Sequence, residues 1–154
     1  MKITVLGAGA WGTALAISLA NKNQVVLWGR NQLAMEEAAN ERENRHYLPG
    51  YALPASLEVS SDIDYALRHA LPANDDGLLI IASSVSGLRP LLQQCKHLPL
   101  KNVVWLCKGF EESTRLLPHQ IVEQELGDTV PAGALSGPSF AQEVAQGLPC
   151  ALTI

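Results

Sequence analysis

Three glycines near the start of the chain stand at a spacing that can accommodate a phosphate. Gly7, Gly9 and Gly12 separate the apolar run at residues 2–6 from a helix-forming stretch at residues 13–20. In such a G-x-G-x-x-G pattern the first glycine permits a tight turn, the second leaves room for a pyrophosphate, and the third lets the helix pack on the sheet. The free N–H groups and the dipole of that helix would attract the phosphates. The pattern therefore predicts a dinucleotide-binding turn, against the alternative of a purely structural turn.

The end of the second predicted strand carries residues that could select between two cofactors. Gly29 and Arg30 stand about 20 residues beyond the glycine turn, where NAD-preferring sites carry Asp or Glu for the ribose 2′-hydroxyl. A carboxylate would repel a 2′-phosphate, whereas a guanidinium can donate two hydrogen bonds to it. The sequence therefore favours NADP(H), with NAD(H) as a second option, unless Arg30 is an ordinary surface arginine. Asn31 is expected to cap the next helix.

Small polar residues and one lysine follow three further predicted strands. Residues 83–87 could line a ligand cleft or only cap the next helix. Lys108, beside Gly109, could contact a phosphate or a carbonyl, or be an exposed loop lysine. Gly137 and Ser139 belong to a Ser-Gly-Pro-Ser segment that by itself indicates the start of a helix capped by Ser139. Because ligands bind at the carboxyl edge of parallel sheets, Ser139 and Lys108 together predict an anion site.

Strand and helix patterns alternate along the whole chain and predict the elements that position these residues. Continuous apolar runs such as residues 78–82 suit strands that are buried on both faces of a parallel sheet. The predicted strands are 2–6, 24–28, 78–82, 103–107, 132–136 and 149–154, with a weak one near 57–60. The predicted helices are 11–21, 32–43, 62–71, 86–97, 115–126 and 139–146. This order indicates an α/β fold with a Rossmann-type doubly wound, mostly parallel sheet.

Length and composition limit the class of protein. The 154 residues are 47% hydrophobic and 17% charged, with a formal net charge of −4, which fits one folded domain over residues 1–154. The lack of a basic cluster argues against a nucleic-acid partner, and no apolar run reaches the roughly 18 residues of a membrane span. No secretory leader is recognisable, so a cytoplasmic location is expected. The strand-like end at residues 149–154, with no polar tail, suggests a fragment of a two-domain protein.

The cysteines and histidines do not form a recognisable metal-binding pattern. Cys95, Cys107 and Cys150 are odd in number and lack C-x-x-C spacing, which indicates reduced, mostly buried thiols. Metal-ligand spacing is also missing among the histidines, which are His46, His69, His97 and His119. No metal site is therefore predicted.

Five segments taken together resemble one family, the NAD(P)-dependent glycerol-3-phosphate dehydrogenases of bacterial type. They are GAGAWGTALA at 7–16, LWGR at 27–30, NRHYLPG at 44–50, KGFE at 108–111 and LSGPSFA at 135–141. The last three are more specific than the glycine turn, and the resemblance spans nearly the whole chain. It implies reversible hydride transfer between NAD(P)H and dihydroxyacetone phosphate, which gives sn-glycerol 3-phosphate for phospholipid synthesis.

The resemblance also implies roles for individual residues. Residues expected at the cofactor are Gly7, Gly9, Ala10, Trp11, Gly12, Arg30, Lys108 and Ala141. Those expected at a small phosphorylated substrate are Lys108, Gly137 and Ser139. In this family the proton-donating lysine and the phosphate-binding cluster lie in a helical C-terminal domain, which would follow Ile154. No general acid is therefore assigned within the chain, and Lys108 is not given that role.

Two other interpretations of the chain's function are compatible with the sequence. The chain could be the Rossmann half of another two-domain reductase, of ketopantoate or 6-phosphogluconate type, which would share the glycine turn but not the Lys-Gly-Phe-Glu and Ser-Gly-Pro-Ser segments. It could also be a nucleotide-sensing module without chemistry of its own. If the chain is part of a glycerol-3-phosphate dehydrogenase, the full-length enzyme could be a homodimer.

Overall fold

A computed structural model describes residues 1–71 and 76–154, and its centre is a parallel β-sheet. The six strands of the described part have the order β3-β2-β1-β4-β5-β6, and every neighbouring pair is parallel. This is the strand order of the Rossmann fold, so the predicted fold class is confirmed. The strands are β1 (Lys2–Leu6), β2 (Gln24–Trp28), β3 (Leu57–Ser60), β4 (Gly77–Ile81), β5 (Val103–Trp105) and β6 (Ala132–Ala134).

Helices connect the strands and cover both faces of the sheet. One apolar cluster packs α1, α2 and α6 on residues such as Ile3 and Val5, and a second packs α3, α4 and α5 on residues such as Leu6 and Ile81. Alternate residues of one strand thus enter opposite cores, which explains the unbroken apolar runs. The helices are α1 (Ala10–Ala20), α2 (Gln32–Glu41), α3 (Ile63–His69), α4 (Val85–Cys95), α5 (Pro118–Leu126) and α6 (Ala141–Ala145).

Two helix caps lie where the sequence places a short polar side chain. The Asn31 side chain accepts a hydrogen bond from the Ala34 amide at 3.2 Å, as predicted. The Asp62 carboxylate accepts one from the Tyr65 amide at 3.0 Å. Each cap satisfies an amide that the first turn of a helix leaves without an intrahelical partner.

The prediction of a strand at residues 149–154 is wrong. This segment forms only an isolated antiparallel bridge, in which Ser136 and Thr153 exchange backbone hydrogen bonds of 3.0 and 2.8 Å. The bridge lies beyond the end of β6, so no ladder continues the sheet there. Residues 151–154 are exposed, and apolar composition alone therefore did not identify a strand.

Two helices begin two or three residues later than the sequence predicts. Arg115, the expected start of one of them, has a left-handed φ of 62°, which a helix cannot contain, and α5 begins at Pro118 instead. The helix predicted from residue 139 begins at Ala141. Its capping residue is Phe140, whose amide donates to the Glu143 carboxylate at 2.8 Å, so Ser139 is not the cap. The weak strand near 57–60 is confirmed as β3.

The helices of residues 1–71 and 76–154 are too short or too polar to cross a membrane. All three cysteines are free, and Cys95 is fully buried. Burial raises the pKa of the Cys95 thiol to about 11.

Candidate functional site

Two of the three glycines in the turn after β1 are required by close backbone contacts. Gly7 has a φ of 125°, and a Cβ there would lie 2.5 Å from the carbonyl oxygen of Ala82. A Cβ on Gly12 would lie 1.9 Å from the carbonyl oxygen of Gly7 and 3.0 Å from the Ala82 side chain. The tight turn and the close packing of helix on sheet that the sequence predicts are therefore both present.

Gly9 differs, because nothing fills the space in front of it. It is the N-cap of α1 with a φ of −71° and a ψ of −179°, which any residue adopts. A Cβ on Gly9 would have no atom within 4 Å. The first turn of α1 contains no acidic residue, so its positive dipole end is not neutralised locally. An open space at the start of an 11-residue helix fits a pyrophosphate, whereas a side chain at Gly9 would occupy it.

Arg30 lies beside this turn at the end of β2. The Gly7 amide donates to the carbonyl oxygen of Trp28 at 2.8 Å, which joins the two strand ends. Arg30 is exposed, and its guanidinium has no hydrogen bond or ion pair with any residue in the described ranges. At Gly29, a Cβ would lie 2.5 Å from the Met35 sulfur, so that glycine is needed for the packing of α2. Arg30 is thus positioned by a tightly packed neighbour and has its charge available for a ligand.

The loop after β5 presents Lys108 to solvent. Lys108, Gly109 and Phe110 are all exposed, and Gly109 has a φ of 98°. Within the described part of the chain the Lys108 ammonium has no hydrogen-bond or ion-pair partner. An unpaired cation on a loop at this edge of the sheet can attract an anionic group.

Glu111, three residues beyond Lys108, is buried and forms a strong ion pair with Arg89 of α4. Arg89 donates from Nε to Oε1 at 2.8 Å and from Nη2 to Oε2 at 2.8 Å, in the two-pronged geometry of an arginine–carboxylate pair. These bonds, and a further one from Thr114, hold the pKa of the Glu111 carboxyl at about 2. The same guanidinium donates to Glu125 of α5 at 2.7 Å. The sequence flags Glu111 only as part of a motif and gives Arg89 no role.

Asn44 is a second buried polar residue that the sequence patterns leave without a role. Its side-chain amide donates to the carbonyl oxygen of Ala8 and to the hydroxyl of Thr13, both at 2.8 Å. Asn44 is 4% exposed. It therefore ties the loop after α2 to the glycine turn and to the first turns of α1. Its place in the NRHYLPG segment is the signal that points to it.

The segment after β6 contains the predicted substrate residues. A Cβ on Gly137 would lie 2.2 Å from the carbonyl oxygen of Ala151, because the end of the chain passes close to it. The hydroxyl of Ser139 has no hydrogen-bond partner in residues 1–71 and 76–154. Ala141 is buried at the start of α6, which packs on α1. Gly137 is thus fixed by packing, while Ser139 can donate to a ligand.

The serines after β4 lie beside the glycine turn but do not cap α4. Ser84 occupies the N-cap position without a capping hydrogen bond, and its hydroxyl lies 2.9 Å from that of Ser86. A Cβ on Gly7 would lie 3.2 Å from the amide nitrogen of Ser83. Of the two roles expected for these serines, side-chain capping is therefore wrong, and a place along the cleft remains.

All of these segments meet at one edge because the strand ends are in register. Leu6 is paired with both Trp28 and Ile81, Ile81 with Trp105, and Trp105 with Ala134. With neighbouring strands about 4.8 Å apart, the ends of β2 to β6 span roughly 19 Å. The chain reverses direction across the sheet between β1 and β4, which is where ligands bind in such folds.

An apolar groove of about 410 Å³ lies on the face of the sheet that α1 and α6 cover. Leucine, isoleucine and valine side chains make up most of its lining, which includes no charged residue. It offers nothing for a phosphate, so the glycine turn and the strand ends are the better candidate for a nucleotide.

Comparison with known proteins identifies close relatives of the chain. Residues 2–154 match the family model described as NAD-dependent glycerol-3-phosphate dehydrogenase N-terminus. The chain is 62% identical to the glycerol-3-phosphate dehydrogenase [NAD(P)+] of Herminiimonas arsenicoxydans over all 154 residues, which cover 46% of that protein. It is 61% identical to that of Paucimonas lemoignei, again over its whole length and 45% of the relative. The chain thus spans about half the length of the curated relatives it matches.

Solved structures give the same result. The glycerol-3-phosphate dehydrogenase of Coxiella burnetii superimposes with a TM-score of 0.85 and 35% identity, covering 97% of this chain and 45% of that one. The yeast glycerol-3-phosphate dehydrogenase gives a TM-score of 0.74 with 27% identity over 95% of this chain and 44% of that one. A putative prephenate dehydrogenase from Corynebacterium glutamicum, 18% identical with a TM-score of 0.64 over 90% of this chain and 37% of that one, shows a shared fold alone. The relatives favour the predicted family over the other reductase types and over a sensor module.

Proposed function

Because the chain belongs to the family of NAD-dependent glycerol-3-phosphate dehydrogenases, whose N-terminal model it matches, we propose that it is the cofactor-binding domain of a longer two-domain enzyme. That enzyme interconverts dihydroxyacetone phosphate and sn-glycerol 3-phosphate with NAD(P)H, and residues 1–154 form its dinucleotide-binding domain. One observation carries the proposal. The glycine turn, Arg30, Lys108 and the Ser-Gly-Pro-Ser segment follow strands whose carboxyl ends lie in register at a single edge.

The cofactor is held in this proposal by the turn after β1 and by charges on either side of it. The backbone of Gly7 to Gly12, including Ala10 and Trp11, receives the pyrophosphate in the open space before Gly9. Ala141 contacts the dinucleotide from α6. When bound, the cofactor supplies or accepts the hydride, and the residues of this chain orient it.

Arg30 makes NADP(H) the preferred form. Its guanidinium is exposed and has no partner among the described residues, and no carboxylate follows β2 to repel a 2′-phosphate. NAD(H) can still bind, because the contacts of the glycine turn are common to both cofactors.

The substrate lies against Lys108, Gly137 and Ser139. The Lys108 ammonium attracts the anionic substrate and also touches the cofactor, and the Ser139 hydroxyl donates a hydrogen bond. Reduction of the ketone creates an alkoxide that must receive a proton. No residue of this chain is assigned that step, and the lysine that donates the proton is placed in the helical domain that follows in the longer enzyme.

The test compares residues 1–154 with the full-length protein in an assay of NADPH oxidation by dihydroxyacetone phosphate. A positioned acid contributes about 10²–10⁴-fold, and contacts to the substrate phosphate orient the reacting carbon. We therefore expect the 154-residue chain to bind NADPH without measurable turnover, and the full-length protein to turn over. Near-full activity of the 154-residue chain would place the acid within it, with Lys108 as the first suspect. Failure of the full-length protein to use this substrate would contradict the proposed reaction.

Three further expectations accompany this function. They are a cytoplasmic location, a homodimer of the full-length enzyme and the absence of a nucleic-acid partner. The formal net charge of −4 supports the last of these, because nucleic-acid binding relies on clustered positive charge.

A further inference from the structure

The loop that carries Lys108 is exposed at residues 108–110 but is anchored by the buried residue Glu111. Lys108, Gly109 and Phe110 are exposed, and the side chain of Phe110 contributes little packing because it is 63% exposed. Glu111, the next residue, is 7% exposed. The loop therefore changes from exposed to buried between Phe110 and Glu111, and Glu111 fixes the position from which Lys108 extends.

Backbone hydrogen bonds close the chain tightly around Glu111. Its amide donates to the carbonyl oxygen of Leu116 at 2.9 Å, and its carbonyl oxygen accepts from the Arg115 amide at 2.8 Å. The Thr114 hydroxyl donates to the Glu111 carboxylate. Residues 111–116 thus form a closed turn, and the carboxylate of Glu111 faces α4, where it accepts from Arg89.

Arg89 joins this turn to two helices. It donates to both carboxylate oxygens of Glu111, and Nη1 donates to Glu125 of α5 at 2.7 Å. The Arg89 side chain is 20% exposed, and those of Glu111 and Glu125 are 9% and 8% exposed. Partly buried pairs of this kind are screened little by salt, and loss of the cation would leave the Glu111 carboxylate without its ion-pair partner. The guanidinium therefore holds α4, α5 and the Lys108 loop in one arrangement.

We propose that Arg89 is a positioning residue for Lys108, acting through its ion pair with Glu111. This inference rests on the proposed function, in which Lys108 contacts substrate and cofactor. Since only two residues separate Lys108 from Glu111, the placement of Glu111 sets the placement of the ammonium at the edge of the sheet. A loop held in its binding geometry beforehand loses less conformational entropy on binding than a free one.

The experiment is a double-mutant cycle in the full-length dehydrogenase. The variants are Arg89→Met, Lys108→Ala and the two combined, and the measured quantities are kcat and KM for dihydroxyacetone phosphate. A displacement of about 1 Å can reduce a rate by about 100-fold, so Arg89→Met should lower kcat/KM by roughly 10- to 100-fold. In the combined variant kcat/KM should fall no further than in Lys108→Ala, because both substitutions remove the same contact.

Two further variants separate positioning from general structural damage. Lys96→Met removes the other cation on Glu125, which Lys96 contacts at 3.2 Å, but it leaves Glu111 untouched and should leave kcat and KM unchanged. Arg89→Lys keeps a positive charge beside Glu111 without the two-pronged geometry, and it should restore part of kcat/KM. If the Arg89→Met variant does not fold, the double-mutant cycle is measured with Arg89→Lys instead.

The outcomes distinguish this inference from the proposed function. Additive losses from Arg89→Met and Lys108→Ala would overturn the inference, because Arg89 would then act independently of Lys108. The same conclusion would follow if Lys96→Met reduced kcat/KM as much as Arg89→Met. If Lys108→Ala alone changed nothing while the enzyme still used its substrate, the proposed role of Lys108 would fail together with the inference. If no form of the enzyme reduced dihydroxyacetone phosphate, the proposed function itself would fail.

Discussion

Gly9 and Gly12 meet two different physical constraints, open space at Gly9 and backbone contact at Gly12, and single substitutions can separate them. Gly9→Val adds a side chain where the structure has no atom within 4 Å of a Cβ, so the protein should fold with nearly unchanged thermal stability. The new side chain would fill the space proposed for the pyrophosphate, and NADPH affinity should fall by at least about tenfold, or ~1.4 kcal/mol. Isothermal titration calorimetry with NADPH measures this change.

Gly12→Ala is the matched control for that prediction. Its Cβ would lie 1.9 Å from the Gly7 carbonyl oxygen, so the backbone must shift and stability should fall by about 1–3 kcal/mol. A folded Gly9→Val variant with unchanged NADPH affinity would contradict the placement of the pyrophosphate.

Arg30 offers a test of cofactor choice at one side chain. Hydrogen bonds to charged groups contribute about 1.5–3 kcal/mol, so Arg30→Ala should weaken NADPH binding by roughly 10- to 150-fold. NADH affinity should change much less, because NADH lacks the 2′-phosphate. Parallel titrations with the two cofactors measure the difference. Equal losses for both would mean that Arg30 acts on some other part of the ligand.

At the scale of elements, the loop after α2 depends on one buried amide. Asn44→Ala removes two hydrogen bonds of 2.8 Å and leaves the Ala8 carbonyl and the Thr13 hydroxyl without them. A buried polar group without its partner costs about 1–3 kcal/mol, and the free energy of unfolding should fall by that amount. Urea denaturation measures it. The control is Arg45→Ala in the same loop, where exposed ion pairs contribute about 0–1 kcal/mol. Equal losses from both variants would show that Asn44 has no special role.

The ion pair of Arg89 and Glu111, which joins α4 to the Lys108 loop, makes the free energy of unfolding depend on pH. The pKa of Glu111 is about 2 in the folded protein against an ordinary value of 4.5, so its folded-state pKa is depressed. Its contribution to stability is therefore complete above about pH 4.5 and is lost as the pH falls from there towards 2. Glu111→Gln should be less stable than the wild type at neutral pH, and this difference should shrink as the pH falls through that range. Urea midpoints at several pH values provide the measurement, and a difference independent of pH would refute it.

The pattern of residues predicts most elements but not the precise ends of the irregular ones. The first two strands and the edge strand β3 are at the predicted residues, because short apolar runs and glycine turns are local signals. The start of α5 differs because Arg115 lies, in a left-handed conformation, in a turn that backbone hydrogen bonds close between Glu111 and residues 115 and 116, and its residue type does not signal this turn. The strand predicted at 149–154 failed for a similar reason, since pairing depends on a partner that composition does not reveal.

At the scale of the whole molecule, the sequence predicts which segments meet at the sheet edge but not the contacts that support them. The glycines, Arg30, Lys108 and Ser139 are predicted from their position after strands, the parallel sheet brings their segments to one edge, and their ligand contacts stay predictions. Asn44, Arg89 and Glu111 received no role, because their function arises from partners that are far apart in the chain, up to 36 residues for Asn44 and Ala8. Residue spacing shows which side chains a turn or helix places at one site. The supporting contacts join residues that are distant in sequence, so only the folded structure identifies them.

Gly9 has open space around it, whereas Gly12 is in contact with its neighbours. This difference predicts which substitutions the two codons tolerate. In a library of all single substitutions, codon 9 should accept many residues when variants are selected for abundance and few when they are selected for growth that requires the proposed dehydrogenase activity. Codon 12 should reject the same residues under both selections, since a clash of 1.9 Å affects every downstream property. A position where the two selections disagree would then mark ligand contact without any structure of a complex, and Arg30 and Lys108 should show the same disagreement.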